Sequence, residues 1–193
     1  GCWSSAPHPV DFRNFVNVDL YAKKNLFYDD DSILRADGAV AGYYPWIYAR
    51  DYFRMEDVLY RGEQMRSFDA VFGRKAANGY PEKLCNTLSG EVDSTVLEQW
   101  KKYDISLLLR NNWEKYKDGI DNKIRISAGY YDNFQLDKAV RLLEKEVKQL
   151  KANMVFDYVP ADHFTVASPE YFQAGYRFLA QRYLKWLEKN PAF

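Results

Sequence analysis

Asp132 and His163 are the two residues in this chain best suited to acid–base chemistry. A carboxylate held against a histidine fixes the ring tautomer and stabilises the imidazolium, so the ring can take a proton from a hydroxyl nucleophile. The residues lie 31 positions apart, so only the fold can bring them together. The second histidine, His8, stands between prolines in Ala6-Pro7-His8-Pro9. It reads as a loop residue near a substrate entrance, because a triad needs only one base. Tyr130, Tyr131, Phe134 and Phe164 flank the two candidates and, with His8, are the candidate pocket residues. A plainer reading stands beside this one. An Asp before Asn in a turn often bonds its own backbone, and structural ion pairs imitate catalytic ones.

The elements around these residues favour a common site. Lys123-Ile124-Arg125-Ile126-Ser127 is a short β-prone run ending at Ala128-Gly129, and Met154 to Val159 is a second, closed by Pro160. Between them Leu136, Ala139, Val140, Leu143, Val147 and Leu150 trace one helix face, with Glu144 and Lys148 as an i, i+4 pair. A strand–helix–strand unit predicts parallel strands. Loops leaving the carboxyl ends of parallel strands emerge at one sheet edge, where open α/β sheets place their sites. Asp132 follows the first strand and His163 the second.

The remaining chain divides into three regions. Gly1 to about Tyr28 begins with an apolar run, Gly1 to Ala6, that reads as the end of a buried strand, followed by a proline-stiffened loop. About Tyr43 to Trp113 reads as mostly helical. Tyr48, Tyr52, Met55, Val58 and Leu59 suggest one buried face, and Met65, Phe68, Val71 and Phe72 resume it after Gly62. Leu97, Trp100, Ile105, Leu108 and Leu109 indicate further helix, with a break near Asp104. Pro169 to about Glu188 reads as a closing helix with Tyr171, Phe172, Tyr176, Leu179, Ala180, Tyr183, Leu184 and Leu187 on its apolar positions, before Asn190-Pro191-Ala192-Phe193.

Gly129-Tyr130-Tyr131-Asp132-Asn133-Phe134, followed by a helix, resembles the acid-bearing loop of the esterase D and S-formylglutathione hydrolase group of α/β-hydrolases. Val159-Pro160-Ala161-Asp162-His163-Phe164 resembles that group's terminal segment, which carries the catalytic histidine. Trp3 to Phe12 is similar to the strand and loop after the nucleophile helix, with His8 where relatives tend to have Asp. The resemblance implies the C-terminal part of an α/β-hydrolase domain over 1–193, with 43–113 a mostly helical, lid-like insertion. It makes Asp132 the triad acid and His163 the general base, and leaves Asp162 to hold the loop. It also suggests a small-molecule ester substrate, a carbohydrate ester among the possibilities, and an exported bacterial location.

The chain departs from that pattern in one respect. It contains no Gly-x-Ser-x-Gly elbow, and Ser4, Ser5, Ser89 and Ser127 lack flanking glycines on a strand–turn–helix. The fold's chain order puts the serine upstream, roughly 20–40 residues before Gly1, one crossover helix away. The 193 residues alone are therefore expected not to turn over esters. They are also expected to self-associate through an exposed sheet edge.

Composition narrows the alternatives. Lys plus Arg and Asp plus Glu number 27 each, so no basic field gathers nucleic acid or an anionic membrane. No stretch approaches the roughly 18 apolar residues of a membrane helix. Two histidines and two cysteines give neither an HExxH arrangement nor a disulfide framework, although Cys2 and Cys85 could pair. Asp29-Asp30-Asp31-Ser32 lacks a calcium-loop pattern. Neither metal nor cofactor is expected. Three functions remain: a serine ester hydrolase in the intact protein, a non-catalytic hydrolase-like binding or scaffolding module, or the C-terminal part of a prolyl-oligopeptidase-type peptidase. The last fits less well, because Asn133-Phe134 differs from that group's usual acid loop.

Overall fold

The computed structural model describes residues 1–40 and 44–191. The expected start of the helical region at Tyr43 and the last two residues of the terminal segment lie outside these. The chain is a mixed α/β structure whose main sheet has three parallel strands flanked by helices. Its strands are β1 (Cys2–Ser5), β4 (Ile124–Gly129) and β5 (Val155–Val159), in the order β1-β4-β5. A separate antiparallel hairpin pairs β2 (Ala36–Val40) with β3 (Tyr44–Tyr48). The helices are α1 (Ala49–Leu59), α2 (Gln64–Phe72), α3 (Ser94–Trp100), α4 (Ile105–Ile120), α5 (Leu136–Gln149) and α6 (Pro169–Lys189).

The unit β4–α5–β5 forms as its periodicity predicts. Leu136, Ala139, Val140, Leu143 and Val147 of α5 are buried, and the last four pack in one cluster with Ile126 and Ala128 of β4. Lys148 and Glu144 pair at 2.7 Å on the outer face. Gly129 and Val159 are register partners, so the loops after β4 and β5 leave the sheet level with one another. Gly129 also lets those loops touch. A Cβ there would lie 2.3 Å from the Ala161 carbonyl oxygen, which instead accepts the Tyr131 amide at 3.1 Å.

A larger, aromatic core joins the N-terminal loop to the helical region. Phe12, Phe15, Phe27, Phe53, Phe68 and Trp100 are all buried in it. Asp104 stitches the two cores together. One carboxylate oxygen caps α4 through the Leu107 amide at 2.9 Å, and the other accepts the Phe12 amide at 2.8 Å and the Tyr21 hydroxyl at 2.7 Å. The break expected near Asp104 is thus a helix start.

Several sequence expectations need correction. β1 is not a buried strand: Cys2 and Ser5 are exposed, because among the described residues it pairs on one side only. Trp3 is covered by α6, whose Gly175 leaves no room for a Cβ beside the indole. Ala36–Val40 and Tyr44–Tyr48 pair as antiparallel strands, so Tyr48 closes a strand instead of facing a helix core. On α1 the buried positions are Ala49, Phe53 and Glu56, while Met55, Val58 and Leu59 are exposed. The reason is electrostatic. Both Glu56 carboxylate oxygens accept amides at the start of α2, Met65 at 2.8 Å and Arg66 at 2.7 Å, so the core-facing stripe is built around a charge. Val71 of α2 and Phe172, Tyr176, Tyr183 and Leu184 of α6 are likewise exposed. Cys2 and Cys85 are free thiols.

Two glycine substitutions should act in opposite directions. Gly129→Ala should lower stability by about 1–3 kcal/mol through overpacking against Ala161. Gly119→Ala, on an exposed turn of α4 with nothing within 4 Å of the new Cβ, should raise it by about 0.5–1 kcal/mol. Urea denaturation of both variants checks the pair, and a neutral Gly129→Ala would contradict the close approach of the loops.

Candidate active site

All three parallel strands deliver a candidate residue to the same sheet edge. β1 runs into the loop bearing His8, β4 into the loop bearing Asp132, and β5 into the loop bearing His163. Asp132 is fixed before it meets the histidine. Its Oδ1 accepts the amides of Phe134 at 2.9 Å and Leu136 at 3.2 Å, the latter being the first residue of α5. Its side chain is fully buried, and its Oδ2 lies 2.9 Å from His163 Nδ1. With Nδ1–H donating to the carboxylate, Nε2 keeps its lone pair for another proton. This hydrogen bond is the main cause that raises the His163 pKa above its ordinary value, against the effect of partial burial.

Neighbouring groups fix the ring in place. The His163 amide donates to Asn133 Oδ1 at 3.1 Å, and Phe134 and Phe164 stand edge-on to the imidazole at 5.0 and 5.5 Å. Asp162 takes no part in orienting the ring. Its Oδ1 accepts the amides of Phe164 and Thr165 and the Thr165 hydroxyl, closing the loop on itself. The hairpin is tied to the same site, since the Ala39 amide donates to the Asn133 carbonyl at 2.9 Å and Asn133 Nδ2 donates back to the Ala39 carbonyl at 3.3 Å.

His163 opens into a cavity of about 240 Å³ lined by His8, Val16, Asp37, Tyr52, Gln64, Met65, Phe134 and Phe164. Of the pocket residues expected from sequence, His8, Phe134 and Phe164 line it. Tyr130 and Tyr131 do not. The Tyr130 ring packs 5.8 Å from Tyr158 with the Arg141 guanidinium over both rings, and Tyr131 is exposed outside the cavity. Val16, Asp37, Tyr52, Gln64 and Met65 are additions the sequence did not signal. They belong to the N-terminal loop, the hairpin, α1 and α2, which no local motif ties to Asp132. Larger hollows of about 680 and 1010 Å³ elsewhere on the surface contain neither histidine.

The arrangement is one that can act chemically as a base with an orienting acid. The described residues lining the cavity include no serine, cysteine or threonine, and no hydrogen bond within them engages His163 Nε2. Tyr52 is the one hydroxyl there, and burial together with Glu56, Asp37 and Glu63 raises its pKa, which disfavours a nucleophilic phenolate. The serines considered from sequence are engaged elsewhere or remote. Ser127 Oγ accepts Trp3 Nε1 at 3.0 Å, Ser5 Oγ meets the Tyr171 hydroxyl, and neither Ser4 nor Ser89 lines the cavity. Among the described residues no group of three His, Cys, Asp or Glu is placed to hold a metal ion, and no helix is long and apolar enough to cross a membrane.

The His163–Asp132 bond predicts a pH signature. Its contribution is fully present below the unfolded histidine value of about 6.5 and is lost as pH rises through the higher folded value. Asp132→Asn should lower the His163 pKa, and its destabilisation should be larger at pH 5 than at pH 9. Imidazole NMR titration and denaturation at the two pH values check this, and a His163 that titrates below about 6.5 in the unaltered chain would contradict it. Comparisons with protein-family models, with curated proteins and with solved structures return no match to the chain, so its residues and their geometry carry the functional reading.

Proposed function

We propose that this chain is the acid- and base-bearing part of a serine-type carboxylic ester hydrolase of the α/β-hydrolase fold. The observation that carries the reading is the 2.9 Å contact between the buried Asp132 carboxylate and His163 Nδ1, in a histidine that lines a cavity and whose Nε2 makes no hydrogen bond among the described residues. A structural histidine is expected to use both ring nitrogens in hydrogen bonds. This one spends one on an acid and leaves the other available.

In the proposed mechanism a serine from outside this chain attacks the ester carbonyl while His163 Nε2 accepts its proton. Asp132 holds the ring and stabilises the imidazolium that forms. His163 then donates that proton to the leaving alkoxide. In the second half-reaction it accepts a proton from water as that water attacks the acyl-enzyme. It then returns the proton to the departing serine oxygen, releasing the acid and restoring the serine hydroxyl. The outer edge of β1 pairs with no strand among the described residues, and a nucleophile-bearing unit would add there. The 240 Å³ cavity suits a small acyl or alcohol portion.

Measuring ester hydrolysis by the protein encoded by the complete reading frame tests this. His163→Ala should remove turnover by roughly 10³-fold or more, and Asp132→Asn should lower kcat by a similar factor with little change in KM. The 193 residues alone should hydrolyse no ester. Full turnover by the His163→Ala protein would end the assignment.

A further inference from the structure

The cavity beside His163 contains two polar groups that the hydrolytic reading leaves unused. Asp37, on β2, is only 4% exposed and lines the cavity. Among the described residues no hydrogen bond or ion pair reaches its carboxyl group, although the other buried carboxylates of this region are met. Glu56 takes two amides of α2, Asp69 takes the Leu84 amide, and Asp132 takes two amides and the imidazole. His8 repeats the pattern. Its ring lines the cavity 4.7 Å from that of Phe68; Nδ1 is sealed off without a hydrogen-bond partner, while Nε2 is accessible and no hydrogen bond among the described residues reaches it. Folded proteins rarely leave the polar groups of buried residues unmet, and departures from that rule are expected at functional sites.

The charge state of the two groups indicates what would meet them. Burial, with the Glu56 charge adding to it, pushes the Asp37 carboxyl up to about 7. Burial and the neighbouring His163 push His8 down to about 4, against the pull of Asp132. Near neutral pH His8 is uncharged and Asp37 is close to half protonated. Such a pair does not select a full charge. It suits a hydroxyl, which can both donate and accept. Met65, Phe134 and Phe164 supply apolar wall for a carbon skeleton. The space corresponds to about eight water molecules' worth of volume, enough for a six-membered ring.

We propose that Asp37 and His8 form the specificity-determining pair of this cavity and bind a hydroxyl group on a ring-sized, uncharged portion of the ligand. Calling that ligand the substrate rests on His163 being the catalytic base; its binding does not require turnover. Asp37 is kept unpaired for this ligand at the expense of stability.

The test follows the imidazole NMR signals of the 193-residue chain, which has two histidines. cis-1,2-Cyclohexanediol and its dimethyl ether serve as matched probes, one with hydroxyl donors and one without. The diol should shift both imidazoles saturably and the ether should not. Asp37→Leu should weaken diol binding by about ten-fold or more. Asp37→Asn and Asp37→Leu should both melt above the unaltered chain at pH 8, where the buried carboxylate is ionised and unmatched. Equal response to the two probes, no response to the diol, or undiminished diol binding by Asp37→Leu would overturn the proposal. So would a lower melting temperature in both variants, which would make Asp37 a structural residue. A failure of the hydrolytic reading looks different: the complete protein would bind the diol and hydrolyse no ester.

Discussion

The contact between Asp132 and His163 depends on a register. Gly129 and Val159 end neighbouring parallel strands at the same level, so their loops begin side by side. Only a residue without a Cβ at 129 lets the Ala161 carbonyl pass close enough for the loops to bond. Asp132 is then held by the Phe134 and Leu136 amides at the start of α5 before it meets the imidazole. The carboxylate is thus placed by backbone and presented to the ring, which is the pre-organisation an orienting acid needs. Much of the buried face of α5 serves to keep β4, and with it this loop, in position.

The second core builds the far wall of the cavity. The hairpin is anchored to the acid loop by reciprocal bonds between Ala39 and Asn133, and Asn133 also accepts the His163 amide. One residue therefore couples the β4 loop, the β5 loop and the hairpin. Trp46 of the hairpin closes over Gly38 and lies 6.0 and 6.1 Å from Phe134 and Phe164. Glu56 fixes α1 against the start of α2 and so sets Tyr52 and Met65 in the wall. Its charge also helps keep the Asp37 carboxyl partly protonated.

What could be read from sequence follows the strength of the local signal. α5 shows a clean apolar face, β4 and β5 are short β-prone runs closed by Gly129 and Pro160, and these elements alone bring Asp132 and His163 to one edge. The hairpin was not legible. Ala36-Asp37-Gly38-Ala39-Val40 has weak β-propensity, and Pro45 is tolerated only because a two-stranded ribbon leaves one side of each strand unpaired. The buried face of α1 departs from the apolar spacing because Glu56, a charged residue, occupies a core position and spoils the binary pattern. Asp37 could not be identified as a site residue, since its proximity to His163 comes from Asn133 gripping Ala39. Tyr130 and Tyr131 adjoin Asp132 in sequence yet turn away from the cavity, Tyr130 drawn to Arg141 and Tyr158.

The central claim is that His163 Nε2 awaits a serine carried by a preceding segment of the same fold. Sequencing and translating the coding DNA upstream of the Gly1 codon tests it most directly. The account predicts a β-prone apolar run ending in Gly-x-Ser-x-Gly, then a helix, roughly 20–40 residues before Gly1. An open frame without that elbow, or a start codon immediately before Gly1, would contradict it and reduce Asp132 and His163 to a structural ion pair.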